Sequence, residues 1–273
     1  MLTAEEFNDL KEFDIDLLQR EVDGGKITVD LIDTIAQFPN ASSIRISGLD
    51  QKTFEYFIDR YASRFQVIVF WKNKNLIDLS PLEKLPDIEY LKFFNCPRIT
   101  SLWDLQKNPR LRALSIYDFP KLKSISGIEN APALEYLDLG SYMWGTMEID
   151  SLKPVVKSPV TYFAWYGKKV KDGDFHCLSK SNIKTLDMNV TKFSMGELAS
   201  LLAAFPEDLK GKVTVPYIEC TIQEKGDFIT LRYLCKRKGY YVKGSDDKLF
   251  EKYLESFQEM LEKERKKNNK KHL

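Results

Sequence analysis

A catalytic reading of this chain has to start from His176 and Cys177, because only two histidines occur and the other, His272, stands beside the end. A thiol or hydroxyl nucleophile needs a base to take its proton at neutral pH, and imidazole is the usual one. Adjacent residues of an extended segment point to opposite faces, so His176 and Cys177 are poorly arranged for that transfer. A surface or packing histidine is the plainer reading. No Gly-rich phosphate loop, His-Glu-x-x-His, Gly-x-Ser-x-Gly or metal-ligand cluster accompanies them. Acidic residues are plentiful, but no spacing selects a catalytic pair. The four cysteines, Cys96, Cys177, Cys220 and Cys235, lie far apart and form no Cys-x-x-Cys. They suit a reducing compartment better than a disulfide scaffold. The expectation is a non-enzyme with no catalytic residue, metal site or cofactor.

Charge gives little more. The 41 basic and 40 acidic side chains leave a net charge of +1, which supplies no global attraction to nucleic acid or anionic membrane. Local basic clusters exist in the run 236–238 and at Lys266, Lys267, Lys270 and Lys271. Glu255, Glu259, Glu262 and Glu264 share that stretch, and no recognition motif accompanies them. Nucleic-acid binding or enzymatic activity within 219–273 is therefore the alternative reading, and nucleic acid is the less favoured partner. The acidic N-terminal stretch and the absence of about 18 consecutive apolar residues point to a soluble protein without a membrane partner, and with the cysteine pattern the expected location is the cytoplasm; the expected state is a monomer.

The residues best suited to recognition are aromatic, and they need a scaffold to bring them together. That scaffold is written as a repeat. The segments at 111–119 (LRALSIYDF) and 134–142 (LEYLDLGSY) share one skeleton 23 residues apart, and earlier copies stand at 88–96 and 65–73. Looser copies occur at 41–49, 160–168 and 183–191, with a doubtful eighth at 212–218. Pro86, Pro109 and Pro132 share one phase, as do Leu79, Leu102 and Ile125, and Leu82, Leu105 and Ile128. Apolar residues three apart also describe a helix, but prolines at fixed phase and β-branched or aromatic neighbours favour strands.

The skeleton resembles the leucine-rich repeat family, on Ile88, Leu91, Phe93 and Cys96 and on Phe65, Ile68, Phe70 and Asn73. Its short spacers are similar to the compact bacterial repeats of internalin-type proteins, without a secretion signal. Phe119 and Tyr142 depart from the family by replacing the Asn or Cys that usually bonds the turn backbone. The resemblance implies an α/β fold: a leucine-rich-repeat solenoid with a curved parallel β-sheet and helical caps at both ends. It also implies an interaction scaffold. One repeat cannot cover its own apolar face, so neighbours must stack and the ends need caps.

The expected organisation is an N-terminal helical cap over 1–40, about seven to eight repeats over 41–218, a C-terminal α/β cap over 219–262 and a disordered basic tail over 263–273. Thr3 and Glu6 have capping-box spacing, with Phe7, Leu10 and Phe13 on one face; Leu31, Ile32, Ile35 and Phe38 mark a second helical segment. Helices are also predicted over 51–65, after the Ser194–Glu197 capping box and over 227–238, with a short strand at 240–242. Phe250, Tyr253, Leu254, Phe257, Met260 and Leu261 form an amphipathic stripe whose plainest use is to cap the last repeat.

Strand alternation then assigns the outward face. If Leu114 and Ile116 point inward, Ala113, Ser115 and Tyr117 point out. Applied to every copy, the rule brings together Trp71, Tyr90, Phe94, Tyr117, Tyr136, Tyr162 and Tyr166. Rigid rings bury much area at little entropic cost, so the patch is a candidate site for a partner protein or peptide. Lys92 on one side and Asp118 and Asp138 on the other would orient that partner. Two other readings stay open: the rings stabilise the sheet by stacking on one another, or a cap folds over them.

Overall fold

The computed structural model describes residues 6–7, 10–19, 25–141, 145–224, 226–236 and 239–271. The chain divides into two compact units, Met1–Asn182 and Ile183–Leu273.

In the first unit the repeat becomes a parallel sheet. Strands β1 (Ile15–Leu17), β2 (Ser43–Ser47), β3 (Val67–Trp71), β4 (Tyr90–Phe94), β5 (Ala113–Tyr117) and β6 (Tyr136–Gly140) lie side by side in chain order. A two-residue strand β7 (Glu148–Ile149) comes next in the chain, and β8 (Tyr162–Tyr166) adds to the far side of β6. A further pair is made by β7 and β9 (Lys169–Val170). Register is maintained across the sheet: Ile44, Ile68, Leu91, Leu114, Leu137 and Phe163 form one row. Ile46, Phe70, Phe93, Ile116, Leu139 and Trp165 form the next inward row. All are buried. This is an α/β repeat architecture built on a parallel sheet, in which each copy supplies one strand and one return segment, as the resemblance to leucine-rich repeats implies.

The return segments explain why the repeat is so short. Three of them are 3-10 turns, at Ser80–Lys84, Leu105–Lys107 and Ile128–Asn130, whose Leu82, Leu105 and Ile128 are fully buried. Among the described residues of this unit the longest helix is α2 (Gln51–Arg60), between β2 and β3, which follows α1 (Val29–Asp33) in the chain, and a four-residue helix, α3 (Lys153–Val156), precedes β8. Asp50 and Thr53 close a capping box on α2, and Phe54, Phe57 and Ile58 form its buried face. The 3-10 turns at Ser80–Lys84 and Leu105–Lys107 are pinned by buried Asn108, which donates to the carbonyls of Leu82 and Leu85, each at 2.8 Å.

Where β2, β3, β4 and β5 end, the backbone turns through a left-handed residue: Gly48 (φ 76°), Lys72 (φ 53°), Asn95 (φ 59°) and Asp118 (φ 60°). Glycine takes this conformation freely and Asn and Asp tolerate it, whereas a lysine there is uncommon. The turn delivers Leu49, Asn73, Cys96 and Phe119 into the core. Asn73 accepts from the Leu49 N–H at 2.8 Å and donates to the Ile46 carbonyl at 3.2 Å. Phe119 has no such groups; its ring lies 5.8 Å from that of Phe93, so aromatic packing replaces the asparagine rung. Tyr142 lies outside the described residues.

The N-terminal 40 residues are not the purely helical cap that the spacing predicts. Phe13 to Leu17 alternates apolar and acidic side chains, a two-residue period that suits a strand, and β1 pairs parallel with β2. The sheet thus begins at Ile15–Leu17, one strand ahead of the repeat copy at 41–49. Of the second segment, Ile32 and Ile35 are buried while Leu31 and Phe38 stand exposed. Thr3 lies outside the described residues.

The second unit contains β10 (Thr185–Met188), bridged in parallel to Lys210, and α4 (Met195–Ala203), whose Ser194–Glu197 capping box is as expected. Residues 212–218 supply no further parallel strand: they form a 3-10 turn, Lys212–Thr214, and the start of β11 (Tyr217–Glu224). The helix predicted over 227–238 is instead β12 (Asp227–Leu234), because the β-branched and aromatic residues of FITLRYL pair antiparallel with β11 across a glycine turn with Gly226 at φ 97°. β13 (Tyr240–Val242) completes the sheet. Helix α5 runs Asp247–Lys271 and so continues through most of the stretch predicted to be a disordered tail. Its distal half is tied down by Arg265 to Glu207 at 3.3 Å and by the Asn268 amide donating to the Ala203 carbonyl at 3.0 Å. The apolar stripe of α5 is spent inside this unit, with Phe250 and Tyr253 packed on Leu234, Tyr217 and Tyr241.

Candidate binding face of the sheet

The outward face of the first unit carries three columns, one for each outward position of a strand. In the first stand Ser43, Val67, Tyr90, Ala113, Tyr136 and Tyr162; in the middle Arg45, Val69, Lys92, Ser115, Asp138 and Ala164; in the last Ser47, Trp71, Phe94, Tyr117, Gly140 and Tyr166. Every aromatic residue expected on this face projects from it. The structure nevertheless divides them into a covered half and an open half.

The covered half is the first column. Phe7 is 1% exposed and packs with Val67, Tyr90, Ala113 and Tyr136, with Leu10, Phe13 and Tyr162 around them. Its ring lies 5.2 Å from that of Tyr90, and Tyr136 stacks on Tyr162 at 4.3 Å. Tyr90 and Tyr136 are consequently 2% and 1% exposed, and burial pushes the Tyr90 phenol above its usual value. Both possibilities of stacking and of cover are thus realised here. Sequence spacing identified Phe7, Leu10 and Phe13 as one face but assigned that face to the solenoid end.

The open half is the last column. Trp71, Phe94, Tyr117 and Tyr166 are all partly exposed. The Trp71 and Phe94 rings lie 4.3 Å apart, and Lys92 holds its ammonium 5.3 Å over the Tyr117 ring. Gly140 interrupts the column for a backbone reason: at φ 93°, a Cβ there would fall 2.4 Å from the Gly167 nitrogen.

The charges are largely engaged within the fold. Tyr117 donates its hydroxyl to Asp138 at 2.5 Å, and Asp138 is 4% exposed. Burial, followed by that carboxylate, keeps the Tyr117 phenol protonated far above its usual range. Asp118 accepts from Asn95 and from the Thr146 hydroxyl, the latter at 2.6 Å. Arg45 pairs with Asp16 and covers the Phe13 ring at 5.1 Å. Asn95, which no sequence signal singled out, reaches this face because its left-handed backbone turns it beside Phe94 and Asp118. The chemistry open to a partner is therefore apolar and aromatic, with Lys92 and Asp118 at its margin.

The residues that opened the catalytic question are placed elsewhere. His176 and Cys177 begin a 3-10 turn, His176–Lys180, rather than an extended segment, and line a cavity of about 390 Å³ with Lys153, Val156, Lys157, Asp174 and Lys180. The Cys177 thiol donates to the Asp174 carbonyl at 3.0 Å. Burial first and Asp174 second push it up to about 11, so it is not a thiolate at neutral pH. Among the described residues no group of three or more His, Cys, Asp or Glu side chains could hold a metal ion, and no helix is long and apolar enough to cross a membrane. Of the basic clusters, Arg237 and Lys238 lie outside the described residues, while Lys267 pairs with Glu264 at 2.5 Å on the surface of α5.

No protein-family model matches the chain, and no curated protein matches it. Among solved structures it is similar to the crystal structure of an internalin C2 from Listeria monocytogenes, with 19% identity and a TM-score of 0.38. The likeness covers 69% of this chain and 66% of that one.

Proposed function

We propose that the protein is a non-enzymatic interaction module that binds another protein or peptide on the outward face of its repeat sheet. The observation that carries this reading is the open aromatic column. Trp71 and Phe94 are stacked on each other yet partly exposed, beside Tyr117 and within reach of Lys92 and Asp118. Rings already held by a neighbour lose little freedom on docking, and such residues supply most of the binding free energy in protein interfaces. Tyr162 and Tyr166 extend the surface on β8. Tyr90 and Tyr136 contribute to binding where the segment carrying Phe7 has moved aside, and Asp138 acts by holding Tyr117. The role is that of an adaptor, inhibitor or immunity-type neutraliser in the cytoplasm.

The test is capture of proteins from the native host with wild-type protein and with the Trp71→Ala/Phe94→Ala double variant. A partner retained by the wild type and lost by the variant, with thermal unfolding little changed, supports the reading. Equal capture by both overturns it. Tyr117→Ala is the poorer probe, since it also strips a hydrogen bond from buried Asp138.

A further inference from the structure

The segment that covers the first column is bound like a ligand. Phe7 is buried in a cluster with residues of four neighbouring strands, Val67, Tyr90, Ala113 and Tyr136. Ala113 is the one small residue between Tyr90 and Tyr136, whose strands lie two spacings apart, or about 9.6 Å, enough to admit a single ring between them. Leu10 and Phe13 follow at intervals of three and pack around the same cluster. The chain then becomes a strand, and its backbone and carboxylates are read by the sheet edge. Asp14 accepts from the N–H groups of Ser42 at 2.8 Å and Ser43 at 3.0 Å, and its own N–H donates to the Ser43 hydroxyl at 2.9 Å. Asp16 pairs with Arg45, and β1 adds to the edge of β2. Farther on, the Gln19 N–H donates to the Ser47 hydroxyl at 2.7 Å.

Strand addition at a sheet edge combined with apolar anchors in pockets is a general mode of peptide recognition. Here both parts come from one stretch of the same chain, and the ladder is only three residues long. So short a strand contributes few bonds, and local opening of such an element costs far less than global unfolding.

We propose that the first-column groove, with the adjoining edge of β2, is a receptor for a polypeptide segment of the pattern Phe-x-x-Leu-x-x-Phe-acidic-apolar-acidic. Phe7, Leu10 and Phe13 to Leu17 occupy it in cis, and a partner protein carrying a like segment enters by displacing them. The inference rests on the reading of this face as an interaction surface and adds to it the partner's chemistry and an autoinhibitory step. While the cis segment is seated, a competitor meets an effective concentration of about millimolar and its apparent affinity falls by the fraction of time the groove is open.

The test uses a fluorescein-labelled peptide of residues 6–17 titrated by anisotropy against the full chain. Phe7→Ala/Leu10→Ala vacates the groove and should bind the peptide at least about tenfold more tightly than wild type. A peptide with both phenylalanines replaced by alanine should not bind. A folded variant that binds no peptide, or wild type and variant that bind it equally, overturns the proposal. Should the double variant unfold, the wild type decides: excess peptide should speed hydrogen exchange at the Leu10 amide, which is bonded to the Phe7 carbonyl at 3.2 Å, and no change overturns the proposal. Failure of the broader reading looks different. Loss of peptide binding with Trp71-dependent capture of a host protein intact sinks only the cis segment, whereas capture indifferent to Trp71 and Phe94 sinks the interaction surface.

Discussion

Asn73 offers a sharp test of how the repeats are joined. It is fully buried, and its side chain satisfies the Leu49 N–H at 2.8 Å and the Ile46 carbonyl at 3.2 Å. Replacement by leucine keeps the volume and raises hydrophobicity, so simple burial would make Asn73→Leu neutral or stabilising. The hydrogen bonds argue otherwise. Each backbone group left unsatisfied in the interior costs roughly 1–3 kcal/mol, so losing both should cost about 2–4 kcal/mol after partial relaxation. That is a large share of the roughly 5–15 kcal/mol that stabilises a typical domain. The assay is equilibrium unfolding in guanidinium followed by tryptophan fluorescence. All four tryptophans of the sequence precede residue 183, and the described ones, Trp71, Trp103 and Trp165, belong to the first unit, so the signal reports that unit even if the two unfold separately. Asn73→Leu equal to or more stable than wild type would refute the reasoning and would mean that the position wants only apolar volume, as at Phe119.

Three further outcomes are expected. Gly140→Ala should lower stability by about 3 kcal/mol or more, because φ 93° is strained for alanine and its Cβ meets the next strand's backbone; an unchanged melting temperature would contradict this. Asp14 is held below its ordinary value of 3.8, chiefly by the Ser42 N–H. Its contribution to seating Phe13 to Leu17 is therefore complete above that value and is lost as pH falls through the lowered one, so hydrogen exchange in β1 should rise there, and less steeply in Asp14→Asn. Finally, a thiol reagent at mildly alkaline pH should modify exposed Cys220 first, whereas burial pushes Cys96 up to about 12 and should leave it unreactive until unfolding; mass spectrometry of the labelled peptides would show the order.

Sequence alone determined the repeat and its phase. The spacing of Leu91, Leu114 and Leu137 set the inward row, and alternation then placed Trp71, Phe94 and Tyr117 outward, because a strand admits only two faces. The capping box at Ser194 was legible for a similar reason, being a local hydrogen-bond pattern four residues long. Tertiary structure decided what local patterns could not. Phe13 to Leu17 is too short to announce a strand by itself, and it becomes one because the Ser42 and Ser43 N–H groups wait at the edge of β2 for Asp14. FITLRYL is helical or extended by spacing alone, and pairing with β11 settles the choice. Above all, an outward residue is not yet an accessible one. Tyr90 and Trp71 leave their strands on the same face, yet Phe7, more than 80 residues before Tyr90 in the chain, closes over the first and leaves the second open, since burial depends on which distant segment finds the surface and strand phase depends only on neighbours.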